Sequence, residues 1–447
     1  MIRFAAIGLT VFTLFASFAS ADERPRMPAR LTLAEALTIA FQHSPALRLA
    51  DSSARRAAAV RDLANSERLP HFGITAHRAM LTSNLEAFGL SNSTLPEIGG
   101  PVPRRIGPYD RLDARAVVVQ QLFNSPVHNH HRAEKLRGEA ATSEASNVRE
   151  LVAAQVAIAY VEGLRAQATA ATLRKQLTLA RQFHTITVDR FQQGVASGLD
   201  KRRAQQQSLN LEQTLFEAEA ALRAAKLRIA AAASAQPTAE FELADIERFY
   251  DTSVPGESEV VTTALTNRTD YQAIATRIEA AGFDLKSASG LRTPRVSFYA
   301  DFGQSGQRLA HNVSTYRIQG NLEMPIYFGG RAGAEERAAR SQIAALNAQH
   351  ETLRNEIETD ALTAHGYVAS ALRQVEVAGA GIELAREEVD LAGARFVEGV
   401  ADNSEVVAAQ DRLTRAEGNR IRALYNLNVS RVQLHKALGQ AEKVYRR

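Results

Sequence analysis

Two groups of residues in this 447-residue chain are of types that carry chemistry. The denser is His128-Asn129-His130-His131, whose imidazoles could supply metal ligands, with His43, His71 and His77 elsewhere near expected strand ends. Its spacing argues against a closed metal site. His130 and His131 are adjacent rather than at i and i+4 on one helical face, and no carboxylate pair joins them. The second group is a pair of carboxylates, Asp200 and Glu405, each six residues after a glycine (Gly194, Gly399) in two stretches related by an offset of 205. Both stand where a helix should begin, where a first-turn carboxylate is favourable against the helix dipole whatever else it does. No nucleophile elbow, phosphate loop, zinc-protease motif or dinucleotide fingerprint is present, so neither an enzyme nor a bound cofactor or metal is expected.

The elements that position the carboxylates are long helices. Arg190-Phe191-Gln192-Gln193-Gly194-Val195-Ala196 returns as Arg395-Phe396-Val397-Glu398-Gly399-Val400-Ala401. Each copy is flanked by Ala-rich helical patterns and followed by turn formers, which is the signature of a helical hairpin tip, present twice. The pattern leading into the first tip starts near His131, and Leu151, Ala154, Ile158 and Val161 mark a coiled-coil seam within it. About 55 residues at ~1.5 Å each make a rod of roughly 80 Å. The return helix is expected from about Asp200 to Ala233, followed by an irregular connector over 236–256. An earlier helix opens at Leu31-Thr32-Leu33-Ala34-Glu35, with Thr32 and Glu35 placed for a capping box, and runs to about Glu67 with an interruption at Pro45.

Between the helices the period changes from 3.6 to 2. Phe72, Ile74 and Ala76 alternate with more polar neighbours, as do Leu112 to Val118, residues 295–302 and residues 316–324. A long exposed loop is expected over 80–109, rich in Pro, Gly, Ser and Asn, and a shorter one over Gly303 to Thr315. The last strand has one apolar and one polar face, which fits a barrel wall between lipid and a water-filled lumen; the same pattern would also suit a sheet on a soluble core. Residues 1–21 read as a secretory leader, from Arg3, an apolar run and Ala19-Ser20-Ala21. Beyond them no apolar run approaches ~18 residues, so membrane insertion would have to be by strands. The chain has no cysteine, which excludes disulfides and an acyl anchor on a thiol. A net charge of +4, with basic residues beside acidic ones as in Arg386-Glu387-Glu388, gives no nucleic-acid footprint. Four strands are too few for a membrane barrel, which needs about eight, so several copies must share one.

Taken together, the Leu-Thr-Leu-Ala-Glu-Ala-Leu opening, the strand ends Gln-Leu-Phe-Asn-Ser and Pro-Ile-Tyr-Phe-Gly-Gly-Arg, the duplicated Arg-Phe-x-x-Gly tips and the terminal Lys436-Ala437-Leu438-Gly439 resemble the outer-membrane efflux protein family, the TolC-like channels. The resemblance implies a mixed, mainly α fold with two internal repeats, 22–235 and 257–439, joined by an equatorial connector (236–256) and followed by a tail (440–447). It implies a homotrimer in outer-membrane lipid, whose four strands per protomer complete a shared twelve-stranded β-barrel above a coiled-coil helical barrel. The partners it implies are a periplasmic membrane-fusion adaptor and an inner-membrane transporter, for which the duct would be the exit. A soluble periplasmic coiled-coil scaffold or adaptor is the alternative.

The same resemblance places Glu405 and Asp200 in a lumen-facing acidic ring that gates the tip. Phe191, Gly194, Val195, Phe396, Gly399 and Val400 are then expected to form the tip packing and the adaptor-docking surface. The chain departs from the best-known members in having Phe396 for a tyrosine, Ala401 for an arginine and Ala408 for a second acid. Packing of Phe191 and Phe396 is the expected substitute for the missing closing contacts.

Overall fold

A computed structural model describes residues 24–90, 102–244, 256–307, 312–327, 329–398, 400 and 403–446. The expected leader, Gly399, Ala401, and the middle of the long loop and of the connector lie outside these residues.

Chain order is β1 (Arg30–Leu31), α1 (Leu33–His43), α2 (Pro45–Ser66), β2 (His71–Asn84), β3 (Arg105–Phe123), α3 (Ser125–Gln192), α4 (Gly198–Ala232), β4 (Glu242–Leu243), α5 (Glu257–Asn267), α6 (Thr269–Ser289), β5 (Arg295–Gly306), β6 (Asn312–Glu323), α7 (Arg331–Val397), α8 (Asn403–Ala437) and α9 (Ala441–Tyr445). Helix lengths pair between the halves: 68 and 67 residues for α3 and α7, and 35 each for α4 and α8. At ~1.5 Å per residue, α3 and α7 are rods of about 100 Å. Among the described residues no helix is long and apolar enough to cross a membrane.

Local chemistry sets the boundaries. Thr32 and Glu35 form the expected capping box of α1, with Glu35 N–H donating to Thr32 Oγ1 at 3.2 Å and Thr32 N–H to Glu35 Oε2 at 2.8 Å. Pro45 sits at the first turn of α2, where its missing N–H costs nothing. α3 begins at Ser125 rather than near His131, because Asn124 caps it and Pro126 occupies its first turn. The histidine cluster is therefore inside a helix and not at its junction.

The four long strands form one antiparallel sheet in the order β2-β3-β5-β6. They run further than the alternation suggests. Residues 80–84 and 105–109 are paired strand rather than loop, and β5 and β6 extend to Gly306 and from Asn312, while Met324 lies beyond β6. Gly107 and Pro108 lie where the ladder skips between Leu81 and Ser83, so the bulge absorbs the residues that turn chemistry would place in a loop. Register puts Phe72, Ile74, Leu112, Phe302, Tyr316, Ile318 and Leu322 on one face. No described element covers that face, and Ile74 is 86% and Tyr316 76% exposed. On the other face, Arg115 bridges strands by ion-pairing with Asp113 at 2.7 Å and with Asp301 of β5, both aspartates being buried.

The two halves of the chain pack into one another. α3 packs on α2, α4, α6 and α8, and α7 on α5, α6 and α8. A buried cluster at mid-height joins α1, α3, α4, α8 and α9 through Leu37, Val156, Tyr160, Ile229, Val432 and Ala441. The connector contributes β4, which pairs in parallel with β1 at the edge of this cluster. Gly163 permits that approach: a Cβ there would stand 2.6 Å from Ile229 Cδ1 and 2.8 Å from Leu243 Cδ1. The tail folds as α9, held by Glu442 on Arg149 at 2.7 and 3.0 Å.

Tyr160 is fully buried and its hydroxyl donates to the Leu31 carbonyl at 2.8 Å, tying α3 to β1. Tyr160→Phe keeps the ring and removes the bond, so chemical denaturation should show a loss of about 1 kcal/mol with an unchanged circular dichroism spectrum.

Candidate functional site

The tips are built by helix termination. At the first, Gln193 ends α3, Gly194 takes φ +76°, Gly194 N–H donates to the Phe191 carbonyl at 3.0 Å, and Val195 N–H reaches back to the Arg190 carbonyl at 2.9 Å. This is the Schellman arrangement, and it requires a residue that tolerates the left-handed region. Ser197 then caps α4. At the second tip, Val400 N–H donates to the Arg395 carbonyl at 2.9 Å, the same bond one repeat later.

Asp200 and Glu405 are engaged differently. Asp200 completes a capping box: its N–H donates to Ser197 Oγ at 3.1 Å, and its carboxylate accepts from Ser197 N–H at 3.0 Å and from the Ser197 hydroxyl at 2.6 Å. Glu405, in the first turn of α8, pairs with Arg395 Nε of α7 at 3.1 Å. The ion pair spans the two helices of one hairpin and is about half exposed, so it contributes little stability but offsets the Glu405 charge.

The expected mutual packing of Phe191 and Phe396 is replaced by a different arrangement. Phe396 is 7% exposed and lies against Phe183, with ring centroids 5.3 Å apart and tilted by 55°, in a cluster with Ala392, Val406 and Ala409. Phe191 is 41% exposed beneath Lys201, whose Nζ is 5.5 Å from the ring centroid. Besides the Phe183–Phe396 contact, Arg190 joins the first hairpin to the second. Its Nη1 donates to the Phe396 carbonyl at 2.8 Å, and its guanidinium lies 4.4 Å from the Phe396 ring centroid. Further along, Gln207 Nε2 donates to Asp411 Oδ1 at 2.7 Å, and Gln176 donates to Glu417. Sequence reasoning left Arg190, Arg395 and Phe183 without roles, although the duplicated Arg-Phe pair was the available signal.

Val195 and Val400 are 63% and 67% exposed at the ends of the hairpins. They add apolar surface at the point furthest from the sheet.

The histidines do not form a metal centre: among the described residues no group of three or more His, Cys, Asp or Glu could hold an ion. His131 Nδ1 instead accepts from Arg68 Nη1 at 3.1 Å. Burial, and next the Arg68 guanidinium, hold the His128 and His131 ionisations below the ordinary imidazole range.

A model of the outer membrane efflux protein family matches residues 260–440. No curated protein matches the chain. Among solved structures, the outer-membrane channel OprN superposes with a TM-score of 0.75 at 19% identity, covering 91% of this chain and 89% of its own. VceC, an outer membrane protein of Vibrio cholerae, gives 0.74 at 19%, covering 91% and 96%. The MtrE outer membrane channel of Neisseria gonorrhoeae, in its open state, gives 0.73 at 17%, covering 91% and 88%. Residues 260–440 thus match the outer membrane efflux protein family, and the chain as a whole has the fold of these outer-membrane channels.

Proposed function

We propose that the protein is the outer-membrane exit duct of a tripartite efflux or secretion system, carrying substrates passively from an inner-membrane pump and periplasmic adaptor to the outside. The observation that carries this reading is the join of two ~100 Å helical rods to a four-stranded sheet whose apolar face no described element covers. A periplasmic scaffold has no use for that face. In lipid it is favourable, provided that the edges of β2 and β6 are paired. Three copies supply twelve strands and close them.

The tip is the moving part. Arg190 fastens the first hairpin to the second, and releasing its two contacts lets the α7–α8 tip swing outward. Glu405 faces the lumen of the trimer as a ring of three carboxylates, each partly offset by Arg395. Asp200 acts mainly by capping α4 and stiffening the rim. Val195 and Val400, with Gly194 shaping the first turn, form the apolar rim on which an adaptor hairpin docks. The chemistry is that of a gated channel rather than of an enzyme.

Planar-bilayer recordings of the detergent-extracted trimer test the gate. Arg190→Ala should raise the open fraction several-fold. Glu405→Ala should weaken block by a multivalent cation added from the tip side, and Arg395→Ala should strengthen it by exposing the ring; indifference to both substitutions would remove the acidic ring and leave the duct. Val195→Glu with Val400→Glu should abolish efflux in cells while leaving trimer and conductance intact, because a charged rim cannot bury against an apolar adaptor tip.

A further inference from the structure

At the base of the sheet, a cavity of about 460 Å³ opens between the end of β3 and the start of α3, lined by Arg68, Gln121, Phe123, Asn124 and His128 among others. Arg68 lies between α2 and β2, and its Nη1 donates to His131 Nδ1. An arginine can only donate, so this imidazole accepts at Nδ1 and carries its proton on Nε2; it is neutral. Arg68 is thus a half-buried cation held by an uncharged ring, and among the described residues no carboxylate stands within ion-pair distance of it. The nearby charges have the same sign: Arg132 is packed over Phe283, Lys135 is paired at 3.9 Å with Glu139, and Arg61 is paired with Asp62. The site carries an uncompensated positive charge beside polar amides.

Its surroundings are apolar. Leu122 and Phe123 line the cavity, and they are each more than half exposed, as are Leu69 and Phe72 just after Arg68 in sequence. Phe72 also starts the outward apolar face of β2, and register carries that face of β3 down to Phe123, opposite Val296, which pairs in turn with Leu322 of β6. On the duct reading, on which this inference rests, the cavity therefore lies where the hydrocarbon band ends and the headgroups of the periplasm-facing leaflet begin.

We propose that Arg68, with His128 across the cavity, binds the phosphate of an anionic phospholipid headgroup whose chains lie along Leu122, Phe123 and Phe72. The guanidinium presents paired N–H donors to the phosphate oxygens and the cavity excludes bulk water from them. A headgroup held here at each protomer fixes the height of the barrel in the membrane just above the helical barrel.

The test is native mass spectrometry of the trimer purified in a neutral detergent and titrated with short-chain phosphatidylglycerol, phosphatidylcholine or inorganic phosphate. Wild type should retain about one phosphatidylglycerol per chain, at least tenfold more tightly than phosphatidylcholine. Arg68→Gln should remove that preference, and His128→Gln, which leaves the Arg68–His131 bond in place, should weaken it; Arg61→Gln, on the helix that precedes Arg68 but paired with Asp62, should not change it. Equal retention of both lipids by wild type, or an unchanged preference in Arg68→Gln, overturns the site. Displacement of the lipid by inorganic phosphate at equal concentration overturns the lipid assignment. A detergent-dependent, conducting trimer with no headgroup preference sinks this proposal alone, whereas a protein that stays soluble without detergent sinks the duct reading beneath it.

Discussion

The four-stranded sheet ends in two edges, one on β2 and one on β6. Each edge is a row of backbone N–H and C=O groups that the neighbouring strand inside the chain cannot reach. In water such rows are tolerable; in hydrocarbon each unpaired group costs several kcal/mol. On the proposed duct reading, the apolar outer face calls for lipid and the edges forbid it to a single chain, so the two demands are reconciled by closure with other copies. Closure of the sheet in turn fixes the helices beneath it. α2, α3, α6 and α7 adjoin strands directly in sequence, so in the proposed assembly a closed ring of strands would impose a closed ring of rods.

Along those rods the packing is made of small residues. Alanine dominates the buried positions of α3 and α7, which lets neighbouring helices lie close without large side chains between them. Larger residues gather at the middle, where Tyr160, Ile229 and Leu37 join the connector and the C-terminal helix to the bundle. The structure is thus most firmly tied at mid-height, away from both the sheet and the tips. That distribution suits the proposed gate, in which the end of the duct moves while its shaft does not.

At the tips, identical residues do different work. Arg190 and Arg395 occupy corresponding places, yet one crosses to the other hairpin and the other pairs within its own. Phe191 and Phe396 divide in the same way between surface and core. Both hairpins use the same turn chemistry, so the difference comes from packing. α3 lies against α8, which brings the end of the first hairpin onto the flank of the second, whereas among the described residues Phe191 of the first stays exposed.

The sequence alone determined the elements and their order. Helical periodicity marked the rods, glycine at a fixed offset marked both tips, and period-2 alternation marked the four strands, because these signals act over a few residues and need no partner. Strand ends were underestimated for the converse reason: Gly107-Pro108 and the residues around Gly306 have the composition of loops, and only cross-strand pairing makes them strand. The start of α3 is set by Asn124 and Pro126, a capping signal that acts ahead of the helical periodicity itself. Three things were decided by tertiary structure. The partner of Glu405 lies ten residues away on the opposite helix, Phe396 is paired with Phe183, and Arg68 meets His131 across 63 positions of chain. Side-chain partners of this kind depend on which helix faces which, a property of the packed bundle that no stretch of sequence carries by itself.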